Sequence, residues 1–154
     1  MDYTFLPMND EQAQAVVFWK YDGIHAFYDW APDADDLAEL LDPVPRENEQ
    51  LHAVLDDHGT QVGFYDFELD GCTVEFRLGL RPDLTGRGLS LEFLNAGLEF
   101  ILENHTPDTF RLQVAAFNKR AIRIYQRAGF QRTREYRHKT NNSEWDFIEM
   151  SRAA

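Results

Sequence analysis

TVEFRLGLRPDLTGRGLSLEF, residues 73–93, reads as a strand, a glycine-containing turn and the start of a helix. Val74, Phe76, Leu78 and Leu80 alternate with Glu75, Arg77 and Gly79, the period-2 pattern of a half-buried strand. Pro82 stops that strand. Beyond the turn, Leu91, Leu94, Leu98 and Ile101 recur at spacings of three and four, which predicts a helix over about residues 88–103 with one apolar face. Two glycines, Gly86 and Gly88, stand between strand and helix. Glycine lets backbone N–H groups approach an anion with no Cβ in the way, and the first turn of a helix carries unsatisfied donors and partial positive charge. The stretch is therefore a candidate phosphate site.

The kind of phosphate can be narrowed. A Walker loop requires Gly-Lys-Ser/Thr after its first glycine, and no Lys follows either glycine. A dinucleotide fingerprint requires a third glycine at residue 91, which is Leu. A second block lies about thirty residues on: Phe117-Asn118-Lys119-Arg120-Ala121-Ile122-Arg123-Ile124-Tyr125-Gln126-Arg127-Ala128-Gly129-Phe130. It resembles the Asn-x-x-Ala-x-x-x-Tyr-x-x-x-Gly-Phe block of the GNAT superfamily of acyl-CoA-dependent N-acyltransferases. The glycine loop resembles that superfamily's pyrophosphate loop, Arg or Gln, two residues, Gly, one residue, then Gly or Ala. Thr85 stands in place of the Arg or Gln, and Ser90 in place of the final Gly or Ala, with Arg87 as a nearby positive charge.

The resemblance implies acetyl-CoA as co-substrate and a primary amine as acceptor. It implies that backbone groups of Leu78, Gly79 and Leu80 pair with the pantetheine arm. Thr85, Gly86, Arg87, Gly88, Leu89 and Ser90 would receive the pyrophosphate, and Asn118 would hydrogen-bond pantetheine. Tyr125 takes the superfamily's tyrosine position and would protonate the departing thiolate, for which a phenol near pKa 10 is suited. Many relatives carry a glutamate base five residues ahead of the asparagine, where this chain has Gln113. Glu75, on the strand of the opening stretch, is the substitute base, with Arg77 two residues along the same face. Gln113 and Ser90 also admit a different class of function, a CoA-binding sensor or interaction module without catalysis.

The remainder of the chain fits an α+β fold with a mixed, mostly antiparallel central sheet flanked by helices and a β-α-β CoA-binding core. Residues 3–6 read as an edge strand ended by Pro7, and Asn9 or Asp10 can cap a helix carrying Ala13, Val16, Val17 and Lys20. Phe18, Trp19, Tyr21, Phe27, Tyr28 and Trp30 crowd thirteen residues; they can close the core or, with Asp22 and Asp29, line an acceptor pocket. Asp33 to Leu41 reads as a second short helix and residues 42–50 as a loop. Residues 51–55 and 61–69 form a hairpin about Asp57-His58-Gly59-Thr60, followed by a turn at Asp70-Gly71. A strand over 110–114, a helix from Asn118 to Ala128 closed by Gly129, and a hairpin of 131–139 with 144–150 about Asn141-Asn142 complete the order.

Length and charge set the outer bounds. The 154 residues suit one domain, 1–154. Residues 1–70 hold 17 acids against Lys20 and Arg46, a balance of −15, while residues 71–154 balance at +3. The basic half suits the phosphates of CoA and the acidic half a cationic acceptor, whereas a net charge of −12 excludes a nucleic-acid backbone as partner. With one cysteine, Cys72, no i, i+4 histidine pair and no long apolar run, the expectation is a cytoplasmic monomer or homodimer without metal, disulfide or membrane span.

Overall fold

The computed structural model of the protein describes residues 2–21, 51–140 and 143–154. Among the described residues, seven strands form one sheet in the order β1-β2-β3-β4-β5-β7-β6. They are β1 (Thr4–Pro7), β2 (Leu51–Leu55), β3 (Gln61–Asp70), β4 (Thr73–Leu80), β5 (Thr109–Ala115), β6 (Gln131–Thr140) and β7 (Ser143–Ala153). The described helices are α1 (Asp10–Val17), α2 (Ser90–Asn104) and α3 (Lys119–Arg127). The expected acceptor-pocket residues Asp22, Phe27, Tyr28, Asp29 and Trp30, the helix over 33–41, and Asn141-Asn142 lie outside the described residues.

The chain divides into two compact units, Met1–Asp66 with Leu78–Arg87, and Phe67–Arg77 with Gly88–Ala154. In the first, β1 runs antiparallel to β2, and β2 antiparallel to β3. Asn9 caps α1 as the sequence implies: its side chain accepts from Gln12 N–H, while the Gln12 side chain accepts from Asn9 N–H. The helix stops at Val17, where the Phe18 and Trp19 N–H groups bond three residues back, so Lys20 falls beyond it. Ala13 and Val16 pack with Met8, Leu51, Ala53 and Phe64, and Trp19 covers this cluster with its ring 6.4 Å from Phe64. The β2–β3 turn is tied by Asp56, whose carboxylate accepts from the N–H groups of His58 and Thr60 at 2.9 and 3.0 Å.

In the second unit β4 and β5 are parallel over Thr73–Glu75 and Thr109–Arg111, the register of the expected β-α-β crossover. The crossover is closed at its base by Asp108 N–H, which donates to the Cys72 carbonyl at 2.7 Å. β7 runs antiparallel to both β5 and β6. One core layer joins Phe76, Phe110 and Phe130 edge to face at 5.8–6.3 Å. Helix α2 buries Leu94, Leu98 and Ile101 of the expected stripe together with Phe93 and Gly97, while Leu91 is only half-buried; it begins at Ser90 because Gly86 and Gly88 both have positive φ and cannot extend it.

Candidate active site

The first unit holds the end of β4 and the turn after it. Leu80 is buried, and its carbonyl accepts from the Tyr21 hydroxyl at 2.7 Å. Gly79 lies against the ring of Phe64 so closely that a Cβ there would overlap the ring's Cε1. Arg81 anchors the turn, with its N–H on the Val62 carbonyl at 2.8 Å and its guanidinium on Asp83 at 2.6 and 3.1 Å. That hydrogen bond is the first cause of an Asp83 carboxyl held below its ordinary value. Pro82–Leu84 makes one 3-10 turn. Thr85 donates both its N–H (3.3 Å) and its hydroxyl (2.7 Å) to the Pro82 carbonyl, so its polar groups serve the turn itself. Gly86 follows with φ +73°, then Arg87, which is exposed and has no ion pair among the described residues.

The second unit takes over at Gly88, with φ +78°. Leu89 occupies the cap position of α2 without a capping side chain, whereas α1 and α3 begin on Asn9 and Asn118, each accepting from the helix's first turn. Leu89 thus gives the first turn of α2 no side-chain cap, and the partial positive charge of a helix start favours an anion there. Asn118 accepts from Ala121 N–H at 3.2 Å and is half-buried. Tyr125 lies seven residues on, so two helical turns place it on the same face, about 10 Å further along the axis. Its ring is half-buried and meets Phe130 edge-on at 6.1 Å. Gly129, at φ +95°, ends α3 as the sequence implies, and Arg152 donates to the Ala128 carbonyl at 2.9 Å.

Glu75 stands in a polar network on the same unit. Arg111, its register partner on β5, donates from Nε to one carboxylate oxygen at 2.8 Å, and Gln113 Nε2 donates to that same oxygen at 2.9 Å. Arg111 also reaches Asp70 at 3.0 Å. These two carboxylates, Glu75 first, raise the guanidinium above its ordinary value. Gln113 Nε2 meets Glu149 at 3.2 Å, and the Tyr136 hydroxyl donates to Gln113 Oε1 at 2.7 Å. Burial pushes the Tyr136 phenol up. At the register shift between Arg132 and Arg134, Thr133 turns its hydroxyl onto Glu149 at 2.8 Å. That bond is the first cause of a depressed Glu149 carboxyl. Sequence reading found Glu75 but missed Arg111, Tyr136 and Glu149 as its neighbours. They come from three other strands, and only the period-2 alternation of β5 and β7 hinted that Arg111, Gln113 and Glu149 share a face.

Among the described residues no helix is long and apolar enough to cross a membrane, and no group of three or more His, Cys, Asp or Glu could hold a metal ion.

Known proteins resemble the chain in sequence and in fold. The spermidine N-acetyltransferase from Vibrio cholerae, solved in complex with CoA and spermine, superposes with a TM-score of 0.78 at 15% identity, over 98% of this chain and 95% of that one. A GNAT-family acetyltransferase from Bacillus anthracis superposes at 0.73 and 15% identity, over 98% and 94%. In sequence, a mycothiol acetyltransferase of Clavibacter sepedonicus is 38% identical over 76 residues, 49% of this chain and 25% of that protein. The chain thus matches about a quarter of that relative's length. The model of the acetyltransferase (GNAT) domain matches residues 3–131, and the chain belongs to that family.

Proposed function

We propose that the protein transfers an acetyl group from acetyl-CoA to a primary amine by direct attack of the amine on the thioester. The observation that carries this reading is the pair of left-handed glycines, Gly86 and Gly88, leading into a helix whose first turn lacks a side-chain cap, in a chain of the GNAT family. In the loop pattern Thr85 stands at the Arg or Gln position, Gly88 at its glycine and Ser90 at its final Gly or Ala, with Arg87 as a nearby positive charge.

The remaining roles follow the family pattern. Leu78, Gly79 and Leu80 offer strand backbone to pantetheine, and Asn118 offers its side-chain amide. The amine nitrogen bonds to the thioester carbon, the C–S bond breaks, and Tyr125 gives its proton to the thiolate. Glu75 takes the proton lost by the amine. A lysine-like amine is only about 0.04% neutral at pH 7, against roughly 10% for an α-amine near pKa 8, so the need for this base depends on the acceptor. The family match takes in residues of both units, which supports one acyltransferase domain over 1–154. Acetyl-CoA is a cytosolic metabolite, and the reaction is accordingly assigned to the cytosol. A CoA-binding module without catalysis is the second reading, favoured by Gln113 at the position of the usual base.

Release of CoA thiol from acetyl-CoA, measured against polyamines, single amino acids, aminoglycosides and peptides with free N-termini, tests the proposal. Calorimetry of CoA binding runs alongside. Turnover with one amine class supports the enzyme and identifies its acceptor. Binding without turnover across the panel favours the module, and absence of binding removes both readings.

A further inference from the structure

We propose that Gln113 and Tyr136 are positioning residues for Glu75, holding its carboxylate so that one oxygen is fixed and the other is presented for proton transfer. This rests on the reading of Glu75 as the base.

The orientation of the Gln113 amide follows from its neighbours. Its carbonyl oxygen accepts from the Tyr136 hydroxyl at 2.7 Å, and its nitrogen faces Glu75 at 2.9 Å and Glu149 at 3.2 Å. The flipped amide would set its carbonyl oxygen against two carboxylates, acceptor against acceptor, with nothing to donate. A protonated phenol on one side and two anions on the other thus select a single orientation. Burial, which keeps the Tyr136 phenol protonated, maintains the donor.

The two carboxylates differ in what they leave open. Glu149 has both oxygens occupied, one by the Thr133 hydroxyl at 2.8 Å and the other by Gln113 and, at 3.5 Å, by Arg134. Glu75 receives Arg111 and Gln113 on one oxygen, and its second oxygen accepts no hydrogen bond among the described residues. Only Glu75 can therefore take a proton without first breaking a contact. The charged and titratable groups that face it are Arg111 from β5, Asp70 from β3 through Arg111, Glu149 from β7, Arg134 and Tyr136 from β6, and Arg77 along its own strand. A glutamate at 113 would bring three carboxylates together. Glutamine instead supplies a donor between two of them, which moves the base from β5 to β4.

The test is the pH dependence of kcat/KM in the full chain with the amine found by CoA release, for Gln113→Leu, Gln113→Glu and Tyr136→Phe. Loss of the donor in Gln113→Leu should move the acidic limb up by roughly one pH unit, the worth of one hydrogen bond to a charged group. Gln113→Glu keeps the shape and the Tyr136 contact but adds a like charge, and should move the limb further in the same direction. Tyr136→Phe should give a smaller shift of the same sign, and acetyl-CoA affinity by calorimetry should stay at the wild-type value throughout. An unmoved limb in both Gln113 variants overturns the proposal, as does a common loss of acetyl-CoA affinity, which would mark the network as structural. Failure of the underlying reading looks different: Glu75→Gln alone would retain the acidic limb, removing Glu75 as base and its positioning residues with it.

Discussion

Replacing Gly79 by alanine probes why a glycine stands in the middle of β4. Its φ is not positive, so turn geometry does not require it. What does is the Phe64 ring: an alanine Cβ would overlap Cε1 and stand 2.7 Å from Cζ and 3.1 Å from Cδ1. Phe64 is 8% exposed and packed among Met8, Ala13, Val16, Leu51 and Ala53, so the ring has no open space into which to swing. Overpacking of this kind costs about 1–3 kcal/mol. With an unfolding entropy of about 2.1 cal/mol/K per residue over the 154-residue chain, that corresponds to about 3–9 °C in Tm. Leucine lacks the outer ring atoms, so Phe64→Leu should relieve the clash. Urea denaturation and thermal melts of Gly79→Ala, Phe64→Leu and the double variant should then show a favourable coupling of at least about 1 kcal/mol. Additive effects, or a Gly79→Ala protein as stable as wild type, would refute the packing account and leave close approach of a ligand as the reason for the glycine.

Asn118 can be separated into cap and ligand contact, because serine also caps helices. Asn118→Ala should cost about 1 kcal/mol of stability, whereas Asn118→Ser should nearly retain it and still weaken acetyl-CoA binding in calorimetry; equal affinity in the serine variant would leave only the capping role. If Tyr125 is the acid, Tyr125→Phe should lower kcat by about 10²-fold or more with acetyl-CoA affinity unchanged, and an unaltered kcat would exclude it. Thr133→Val removes the first cause of the depressed Glu149 carboxyl. A depressed carboxyl stabilises the fold above its unfolded value of 4.5 and loses that contribution as pH falls through the folded value. The variant should therefore be about 1 kcal/mol less stable than wild type in urea at pH 7, with the gap closing toward pH 3; a gap independent of pH would separate Thr133 from that titration.

The legible parts of this fold are those whose cause is local. Alternation along β4, the caps at Asn9 and Asn118, the turns at Gly59, Gly71 and Gly129 and the apolar stripe of α2 depend on residues within a few positions of one another. Helix α2 starts two residues later than the spacing predicts, because spacing does not reveal that Gly86 and Gly88 both adopt left-handed backbone. Arg77 stands two residues along the same face as Glu75, yet the guanidinium that bonds Glu75 is that of Arg111, 36 residues away, because the β4–β5 register sets the two opposite each other. In the sequence Gly79 shows as a member of the β4 alternation and as backbone that a ligand could approach. Its contact with Phe64 depends on a neighbouring strand and leaves no trace in the local pattern. In the candidate site, the loop and α3 could be read from short motifs, whereas the setting of Glu75 could not, since β3, β5, β6 and β7 all contribute to it.

The placement of β7 has a consequence for synthesis. β5 and β6 are translated first, yet they are not neighbours in the sheet, because β7 lies between them and pairs with Thr109–Ala115 on one side and Gln131–Thr140 on the other. On the ribosome, where chains grow at about 5–20 residues per second, both strands wait with unpaired edges until residues 143–153 emerge. β6 carries Arg132, Arg134, Glu135, Arg137 and Lys139 across that interval, charges that discourage pairing with another nascent chain. The sheet of this unit is completed from its middle, by the strand made last of the three.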